Sequence, residues 1–509
     1  MTPAEGAAAR ATAAPRTGTA AGGGRQQKAR TDRVRRHRRP RLLTALAVLW
    51  TCFALVQRLL SGRWWVMLVP DLVPPIAFLL VPVLLMVWAG VSGLRRKGRD
   101  GRNATAGAEG DAAGDGVKAP AGTEGHAAQA TAGAQGPGAR ATAGVQGPGA
   151  RATAGVQGPG ARATAGVQGP GARATAGSSD PAAGPGPRAG ASGGGSGGSR
   201  VAGRRVPQFA SRRAALLLVC ALALVSACVS WPRNGVRLAA LTHHVSSTAG
   251  DLRIVSWNTT WWGQDVDKDS FWRTLRAQRA DVYLLQEYLH GVDYRQENLR
   301  PVDDLARIHR EFPGYHVVTR GELITLSRYP VIGSKLVGTG QSVAGRPDAP
   351  WLEVYRAVKT LRVDIRVHGR PLSLYNVHIP VQIDPGPQLI SPSVFGMLRD
   401  RQRTRTAQFR GLNAELREQR AKSAAALVAG DFNSSPAMGE MQELRSTMRD
   451  AADSGTDLYP HSWNELVPVL GLWRLDWAFS TGPVTVDRYR FDDMHHLSDH
   501  RAQVLEVSL

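Results

Sequence analysis

Three long apolar runs constrain what this chain can fold into more than any other feature of its sequence. They are Leu42–Leu60, Leu72–Val91 and Ala214–Trp231. At about 1.5 Å per residue, a helix as long as the first run reaches roughly 28 Å, close to the thickness of the hydrocarbon core of a bilayer. The second run contains prolines, which membrane helices tolerate. We therefore predict three transmembrane helices, at 42–60, 64–94 and 214–231.

The distribution of basic residues predicts the orientation of these helices. Basic clusters lie before the first run, after the second and before the third. The positive-inside rule then places the N-terminus and residues 95–213 in the cytoplasm, and everything after Trp231 outside the cell. A signal peptide at 31–60 is the alternative, but no small-residue cleavage site follows it and two further apolar runs come later.

The net charge of +22 would by itself indicate a nucleic-acid-binding protein, but it is unevenly distributed. Residues 1–231 hold 29 Lys/Arg and 9 Asp/Glu, whereas residues 232–509 hold 34 and 32. The excess charge therefore belongs to the N-terminal region. A wide basic face on a C-terminal domain is not expected.

Composition divides the rest of the chain. Residues 1–41 read as a basic disordered tail, and 95–213 as a low-complexity linker in which 130–173 consists of four 11-residue copies rich in Gly and Pro. The only cysteines, Cys52, Cys220 and Cys228, lie in the apolar runs, which excludes a disulfide framework or a cysteine zinc site from the C-terminal half. Residues 245–509 are long enough for one large domain.

The C-terminal half alternates between predicted strands and helices. Leu398–Arg420 is charged but places Phe409, Leu412 and Leu416 at helical spacing, so we expect a surface helix packed on a sheet. Strands are predicted at 253–258, 281–287, 361–367, 371–379 and 425–433. The fold class is therefore α/β or α+β.

Polar motifs lie at the ends of these strands, where such folds build sites. Taken singly these motifs are weak signals. A residue in the position of Glu287 is more often a solvated strand end, and a histidine such as His378 is more often structural than catalytic. Asn258 and Asn376 are as typical of turns as of a site. The motifs, in chain order, are Asn258 in WN, Glu287 in QE, the SRYPV segment, Asn376 and His378 in NVH, Asp431 and Asn433 in GDFN, Asp476 in LDW, and Asp499 and His500 in SDH.

The order of these motifs resembles the endonuclease/exonuclease/phosphatase superfamily, which includes DNase I-like nucleases, neutral sphingomyelinases and inositol-polyphosphate phosphatases. The resemblance covers residues 251–509 and implies a four-layer sandwich of two packed sheets flanked by helices. Trp477, Ala478 and Ala502 depart from the usual residues of the family, and none of these departures removes a functional group.

The resemblance also implies roles for individual residues. Asn258 and Glu287 bind or orient a metal ion, Asp431 and Asn433 activate water and hold phosphoryl oxygens, and His378 contacts the phosphate. Asp476 orients a catalytic group, and Asp499 and His500 form the terminal pair, with Asp499 also a candidate metal ligand. Hard carboxylate oxygens suit Mg²⁺, with Mn²⁺ as the alternative. A zinc site at His495 and His496 is less favoured because no thiolate is near.

The chain layout is similar to actinobacterial membrane phosphatases linked to teicoplanin resistance, which implies a multi-pass protein of the cell membrane with an extracytoplasmic catalytic domain. Its partners would be the lipid bilayer and a phosphorylated lipid substrate such as undecaprenyl pyrophosphate. One alternative is an extracellular nuclease, for which Arg399, Arg401, Arg403 and Arg405 could form a local basic patch. Another is an inactive surface binding protein. No feature of the sequence indicates a protein partner.

Overall fold

A computed structural model describes residues 23–108, 212–242, 250–293, 295–383, 393–463 and 471–509, with side chains described at 41–92 and from 213 onward. The predicted repeats at 130–173 lie outside the described residues. The N-terminal helices and the C-terminal domain belong to one compact unit.

The N-terminal part contains three long helices: α1 (Gly23–Leu60), α2 (Ala77–Ala108) and α3 (Arg212–Ser230). Two stretches, Arg41–Leu60 and Arg213–Arg233, are long and apolar enough to cross a membrane. A third span exists only if Trp65–Leu72 and Ala77–Ser92, which meet at 62°, count as one. Residues 64–94 are thus bent where a single helix is predicted, at the Pro74-Pro75 pair that a straight helix cannot accommodate.

The helices extend further than the sequence predicts. The backbone of 23–41, predicted to be disordered, is the first part of α1, and α2 continues past residue 95, where the linker is predicted to begin. Both extensions contain Ala, Arg and Lys, which favour helix, and both grow from an apolar helix that is already nucleated.

Helices α1 and α3 pack closely through small residues. Ala47 and Ala223 are fully buried in a cluster with Leu43, Ala89 and Val219. The Thr51 hydroxyl donates to the carbonyl of Leu222 at 3.1 Å. Small side chains and interhelical hydrogen bonds are typical of helix packing inside membranes.

The described part of the C-terminal domain contains six helices and fourteen strands. The helices are α4 (Thr260–Gly263), α5 (Lys268–Ala277), α6 (Leu305–Glu311), α7 (Trp351–Ala357), α8 (Ser393–Ala421) and α9 (Gln442–Thr447). The strands are β1 (Leu252–Asn258), β2 (Val282–Gln286), β3 (Leu289–His290), β4 (Arg300–Pro301), β5 (His316–Arg320), β6 (Leu323–Ser327), β7 (Val331–Leu336), β8 (Thr360–Val367), β9 (Arg370–His378), β10 (Ala426–Asp431), β11 (Arg449–Asp450), β12 (Asp476–Ser480), β13 (Thr485–Asp492) and β14 (Ala502–Ser508).

Two six-stranded mixed sheets form the centre of the domain. Their strand orders are β13-β14-β1-β2-β6-β5 and β11-β12-β10-β9-β8-β7. In each sheet one central pair is parallel, β1 with β2 and β9 with β10, and the other pairs are antiparallel. Parallel neighbours end at the same edge of a sheet, so the residues at the carboxyl ends of each parallel pair lie side by side.

Alternation of side chains along the strands produces the layers. Ile254 and Leu374 point into a core shared by the two sheets. Val255 faces the other side, where it packs with Trp272 of α5. On the outer face of the second sheet, Tyr375 packs with α8 through Phe409, Leu412 and Leu416, as the sequence predicts. The order helix, sheet, sheet, helix confirms the predicted sandwich of two packed sheets flanked by helices.

Candidate active site

The strand ends bring the predicted site residues together. Asn258 ends β1 opposite Gln286 of the parallel strand β2, and His378 ends β9 opposite Asp431 of the parallel strand β10. Asp431 also lies opposite Asp476, the first residue of the antiparallel strand β12. The two sheets thus present their polar strand ends to one another at a single edge of the sandwich.

Two of these residues have a left-handed backbone. Glu287 (φ 61°) directly follows the buried strand β2, Asn433 (φ 47°) lies two residues after the end of the buried strand β10, and neither is a glycine. Such a conformation costs free energy that surrounding contacts must offset, and it is concentrated at functional sites. Here it turns each chain sharply out of its sheet, so that the side chains of both residues contact the site.

Asp431 lies at the centre of the arrangement. Its Oδ2 atom accepts hydrogen bonds from the side-chain amides of Asn258, at 3.1 Å, and Asn433, at 3.0 Å. Two imidazole nitrogens approach the same oxygen: Nε2 of His378 at 3.6 Å and Nε2 of His500 at 3.7 Å. Four of the predicted residues therefore surround one carboxylate oxygen.

His500 is oriented by the carboxylate of Asp476, which contacts the Nδ1 side of the ring. Its Nδ1 atom lies 2.8 Å from Oδ2 of Asp476, and both side chains are buried. Burial lowers the pKa of His500, but the charges of Asp476, Asp431 and Asp499 raise it more, so that it lies well above its usual value. The imidazole is held as a cation whose Nε2 faces Asp431.

His378 has an equivalent partner, which the sequence analysis missed. Its Nδ1 atom lies 3.0 Å from Oε2 of Glu322, whose other oxygen pairs with the buried amine of Lys359. Burial lowers the pKa of His378, and Glu322, Asp431 and Glu287 raise it above its usual value. Burial raises the pKa of Glu322, but His378 and Lys359 together lower it to about 2. The sequence gives little indication of this role, since Glu322 lies just before a strand, β6, rather than at the end of one.

Asp499 is held by its own set of hydrogen-bond donors. Its Oδ1 accepts from the Thr260 hydroxyl, and its Oδ2 accepts from the indole N–H of Trp463 at 2.8 Å. Burial raises its pKa, but His500 and these two donors lower it below the usual value. Asp499 is thus ionised beside the site.

Glu287 lies across the site from Asp431 and is linked to it by Asn258. The Asn258 amide donates to Oε1 of Glu287 at 3.0 Å, and the backbone N–H of Trp261 donates to Oε2 at 2.9 Å. Burial raises the pKa of Glu287, and the charge of Asp499 adds to this effect. Burial likewise raises the pKa of Asp431. Both carboxyl groups would be stabilised as anions by a cation.

The charges within the site fit a bound divalent metal ion. Five carboxylates are gathered there, with three cationic side chains when both histidines are protonated, which leaves an excess of two negative charges. The carboxylates are Glu287, Glu322, Asp431, Asp476 and Asp499, and the cations are Lys359, His378 and His500. Uncompensated charge in a buried site is costly, and a divalent cation would remove the excess.

Two groups of ligand atoms could hold the metal. Among the described residues, ligand atoms of Asp431, Asp476 and His500 lie within 4.8 Å of one another. However, Asp476 and His500 already form a 2.8 Å hydrogen bond with each other. Among the described residues, the ion-pair partner of Glu287 is His378, whose Nε2 lies 4.0 Å away, beyond hydrogen-bonding distance. The predicted metal site at Asn258, Glu287 and Asp499 stays our prediction.

Two further polar residues of the predicted motifs, Asn376 and His496, lie outside the cluster around Asp431. Asn376 is fully buried and joins the two sheets, because it accepts from Gln286 at 2.6 Å and donates to the carbonyls of Leu285 and Ile324. It is neither a turn former nor a site residue. The His496 side chain is 91% exposed and pairs with Asp493.

Comparison with known proteins agrees with the motif order. Residues 255–500 match the Endonuclease/Exonuclease/phosphatase family. A search of curated proteins found no match.

Similar solved structures include an endonuclease/exonuclease/phosphatase from Bacteroides vulgatus (15% identity, 51% of this chain and 98% of that one, TM-score 0.35). A humanized D. rerio TDP2 is 16% identical over 51% of this chain and 99% of that one, with a TM-score of 0.34. The human Nocturnin catalytic domain with bound sulfate is 14% identical over 53% and 99%, with a TM-score of 0.35.

Proposed function

We propose that the C-terminal domain, whose residues 255–500 match the Endonuclease/Exonuclease/phosphatase family, is a metal-dependent phosphoester hydrolase. Its substrate in this proposal is a lipid-linked phosphate or pyrophosphate, such as undecaprenyl pyrophosphate, at the outer face of the cell membrane. The observation that carries this proposal is the position of the site relative to the apolar helices. The loop that follows Asn433 contacts the end of α1: the backbone N–H of Gly439 donates to the hydroxyl of Ser61 at 2.7 Å.

This proximity favours a substrate in the bilayer. A site fixed beside the ends of membrane helices meets lipids of the same membrane at a high effective concentration. The aromatic residues around the contact are typical of a membrane interface: Trp64 is 49% exposed, and Trp65 packs edge-on against Phe395 of α8, which is 54% exposed.

The orientation outside the cell has support from the helix ends. The C-terminal ends of α1 and α3 and the segment before α2 all contact the C-terminal domain, through Ser61, Arg233 and Leu72. The three spans that we predict carry basic clusters at their opposite ends. The positive-inside rule assigns those opposite ends to the cytoplasm.

The side chains suit hydrolysis by an activated water. In the mechanism we propose, the Asp431 carboxylate accepts a proton from a water molecule while the oxygen of that water forms a bond to phosphorus. The bond from phosphorus to the leaving oxygen breaks, and that oxygen departs with the bonding electron pair. His500, held cationic by Asp476, and His378, held by Glu322, donate to the phosphoryl oxygens as their negative charge develops. The Asn433 amide aligns Asp431.

A divalent metal ion bound here would supply Lewis-acid stabilisation of the phosphoryl oxygens. Glu287 and Asp499 would hold it, with Asn258 fixing the orientation of Glu287. Mg²⁺ is the ion we propose, since it prefers carboxylate oxygens together with waters and substrate oxygens, and Mn²⁺ would substitute.

The nuclease alternative has little support from the charged surface. The arginine patch predicted from the sequence loses one member, because Arg405 is fully buried against Glu440. Arg399 lies over the Trp65 ring, and the exposed Arg403 pairs with Asp400. Polyanion binding relies on several accessible cations. An inactive binding protein is also disfavoured, since every predicted site residue retains its side-chain contacts within the site.

A substrate panel tests the proposal. Full-length protein in proteoliposomes would be offered undecaprenyl pyrophosphate, sphingomyelin, phosphoinositides and plasmid DNA at physiological salt with Mg²⁺. We expect phosphate release from the lipid pyrophosphate and none from the Asp431→Asn variant. Efficient nicking of DNA with every lipid left intact would replace our proposal with the nuclease alternative.

A further inference from the structure

A buried polar cluster joins the apolar helices to the C-terminal domain. It consists of Gln57 in α1, Ser61 just after it, Asp71 before α2 and Arg233 after α3, and we call it the junction cluster. Each of these side chains is at most 5% exposed. Helices that only anchored the domain in a membrane would not need such a cluster.

The hydrogen bonds of the junction cluster converge on one carbonyl of the domain. The Gln57 amide donates to the carbonyl oxygen of Ala437 at 2.6 Å and to Asp71 at 2.9 Å. The Arg233 guanidinium donates to the same carbonyl at 3.1 Å and to the Gln57 side chain at 2.8 Å. Ser61 donates to the second Asp71 oxygen at 2.7 Å. One acid, one base and a neutral amide thus satisfy each other, as buried polar groups must.

Close backbone contact beside the cluster gives independent evidence of docking. Gly62 has a left-handed backbone (φ +75°), and a Cβ atom on it would lie 2.5 Å from the backbone nitrogen of Glu440. A Cβ on Gly439 would collide with the carbonyl of Ser61. Only glycines allow the two backbones to approach this closely.

The loop that contacts the junction cluster, residues 432–441, directly follows Asp431 of the site. Ala437 lies six residues after Asp431, and the intervening residues are buried. The Asn433 carbonyl accepts from the guanidinium of Arg405 at 3.2 Å, and the Ser434 carbonyl accepts from the indole of Trp477 at 2.7 Å. A displacement of Ala437 would therefore be transmitted to Asn433 and Asp431.

We propose that the junction cluster positions the loop 432–441, and through it Asp431 and Asn433, so that the apolar helices are a structural part of the active site. Gln57, Asp71 and Arg233 are positioning residues in this account. The docking stands independently of the substrate, whereas its effect on turnover depends on the proposed phosphoester hydrolysis.

Release of the domain from membranes tests the docking. A protease site is inserted after Thr242, between α3 and β1, in the full-length protein. After cleavage, we expect the wild-type domain to stay on washed membranes and the Gly62→Ala and Gln57→Ala domains to be released into the supernatant. Release of the wild-type domain would overturn the proposal.

Turnover of a soluble substrate tests the positioning. With bis(p-nitrophenyl) phosphate, we expect Gly62→Ala and Gln57→Ala to lower kcat by up to about a hundredfold, as misplacement by 1 Å can, with KM little changed. Gly345→Ala is the matched control, since its φ of +73° is equally strained but no atom of the described residues lies within 4 Å of the added Cβ.

A second control is Thr51→Val, which removes a bond between α1 and α3 without touching the domain. Unchanged kcat in both junction variants would overturn the positioning. If the wild type hydrolysed no phosphoester at all, the proposed function would fail, and the release experiment would still decide the docking.

Discussion

Glu322 lies with one carboxylate oxygen 3.0 Å from Nδ1 of His378 and the other paired with the amine of Lys359. All three side chains are almost completely buried. Together with Asp476 and His500, this gives the site two imidazoles, each oriented by a carboxylate from behind and each presenting Nε2 towards Asp431. Similar support for both histidines explains how the site can stabilise charge on a phosphoryl group from two directions.

The Lys359–Glu322 pair should be necessary for stability. Lys359→Met leaves the Glu322 carboxylate buried with only His378 to oppose it, and breaking a buried pair in this way costs about 3–5 kcal/mol. We expect a clear fall in the thermal unfolding midpoint. Arg346→Met, which removes the exposed pair with Glu353, should barely change it. Equal midpoints for both variants would contradict the assigned role of the buried pair.

The pH dependence of turnover should report His500. Because its pKa is raised, the imidazole keeps its proton at neutral pH, and activity that needs the cation is lost only as the pH rises through that value. Asp476→Asn removes a charge that raises this pKa, so the alkaline limb of the kcat profile should shift to lower pH. Asp400→Asn, on the exposed face of α8, is the control and should shift neither limb. An unmoved alkaline limb in Asp476→Asn would count against the assignment.

Substitution of Glu287 and substitution of Asp431 should each reduce activity, but for different reasons. Glu287→Gln should weaken metal binding, so its activity should recover in part when Mg²⁺ or Mn²⁺ is raised. Asp431→Asn should lose about a hundredfold or more in kcat that added metal does not restore, because it removes the group that takes the water proton. Chelator should abolish wild-type activity. Full rescue of Asp431→Asn by excess metal would reverse the two assignments.

The proposed topology can be tested by labelling single cysteines with a membrane-impermeant maleimide in intact cells. The background replaces Cys52, Cys220 and Cys228 with alanine, and a cysteine is placed at the exposed Glu418 or at Ala150 in the linker. We expect label on Glu418→Cys in intact cells and on Ala150→Cys only after permeabilisation. The opposite pattern would mean that the domain faces the cytoplasm.

The sequence predicted the parts of this protein that depend on local pattern. Period-2 apolar strands predicted β1, β8 and β9, and helical spacing predicted that Phe409, Leu412 and Leu416 pack against a sheet. The order of the polar motifs predicted residues that prove to share one edge of the sandwich. Their catalytic roles stay predictions.

The remaining features depend on contacts between distant segments. Glu322 and Lys359 are 37 residues apart, and nothing in either local pattern indicates that they pair. Gln57 and Ala437 are separated by 380 residues, so no local sequence pattern could predict the junction cluster. Trp477, read only as a departure from the family pattern, proves to bind the Ser434 carbonyl in the loop beside the site.

The most direct test of the central claim compares lipid substrate in the same membrane with lipid substrate in a separate one. Full-length protein is reconstituted either into vesicles that contain undecaprenyl pyrophosphate or into vesicles without it, to which substrate-bearing vesicles are added, and phosphate release is followed with Mg²⁺. Our account predicts rapid release only when enzyme and lipid share a bilayer, and none from Asp431→Asn in either arrangement. Equal release from both arrangements, or no release from lipid alongside efficient DNA cleavage, would contradict it.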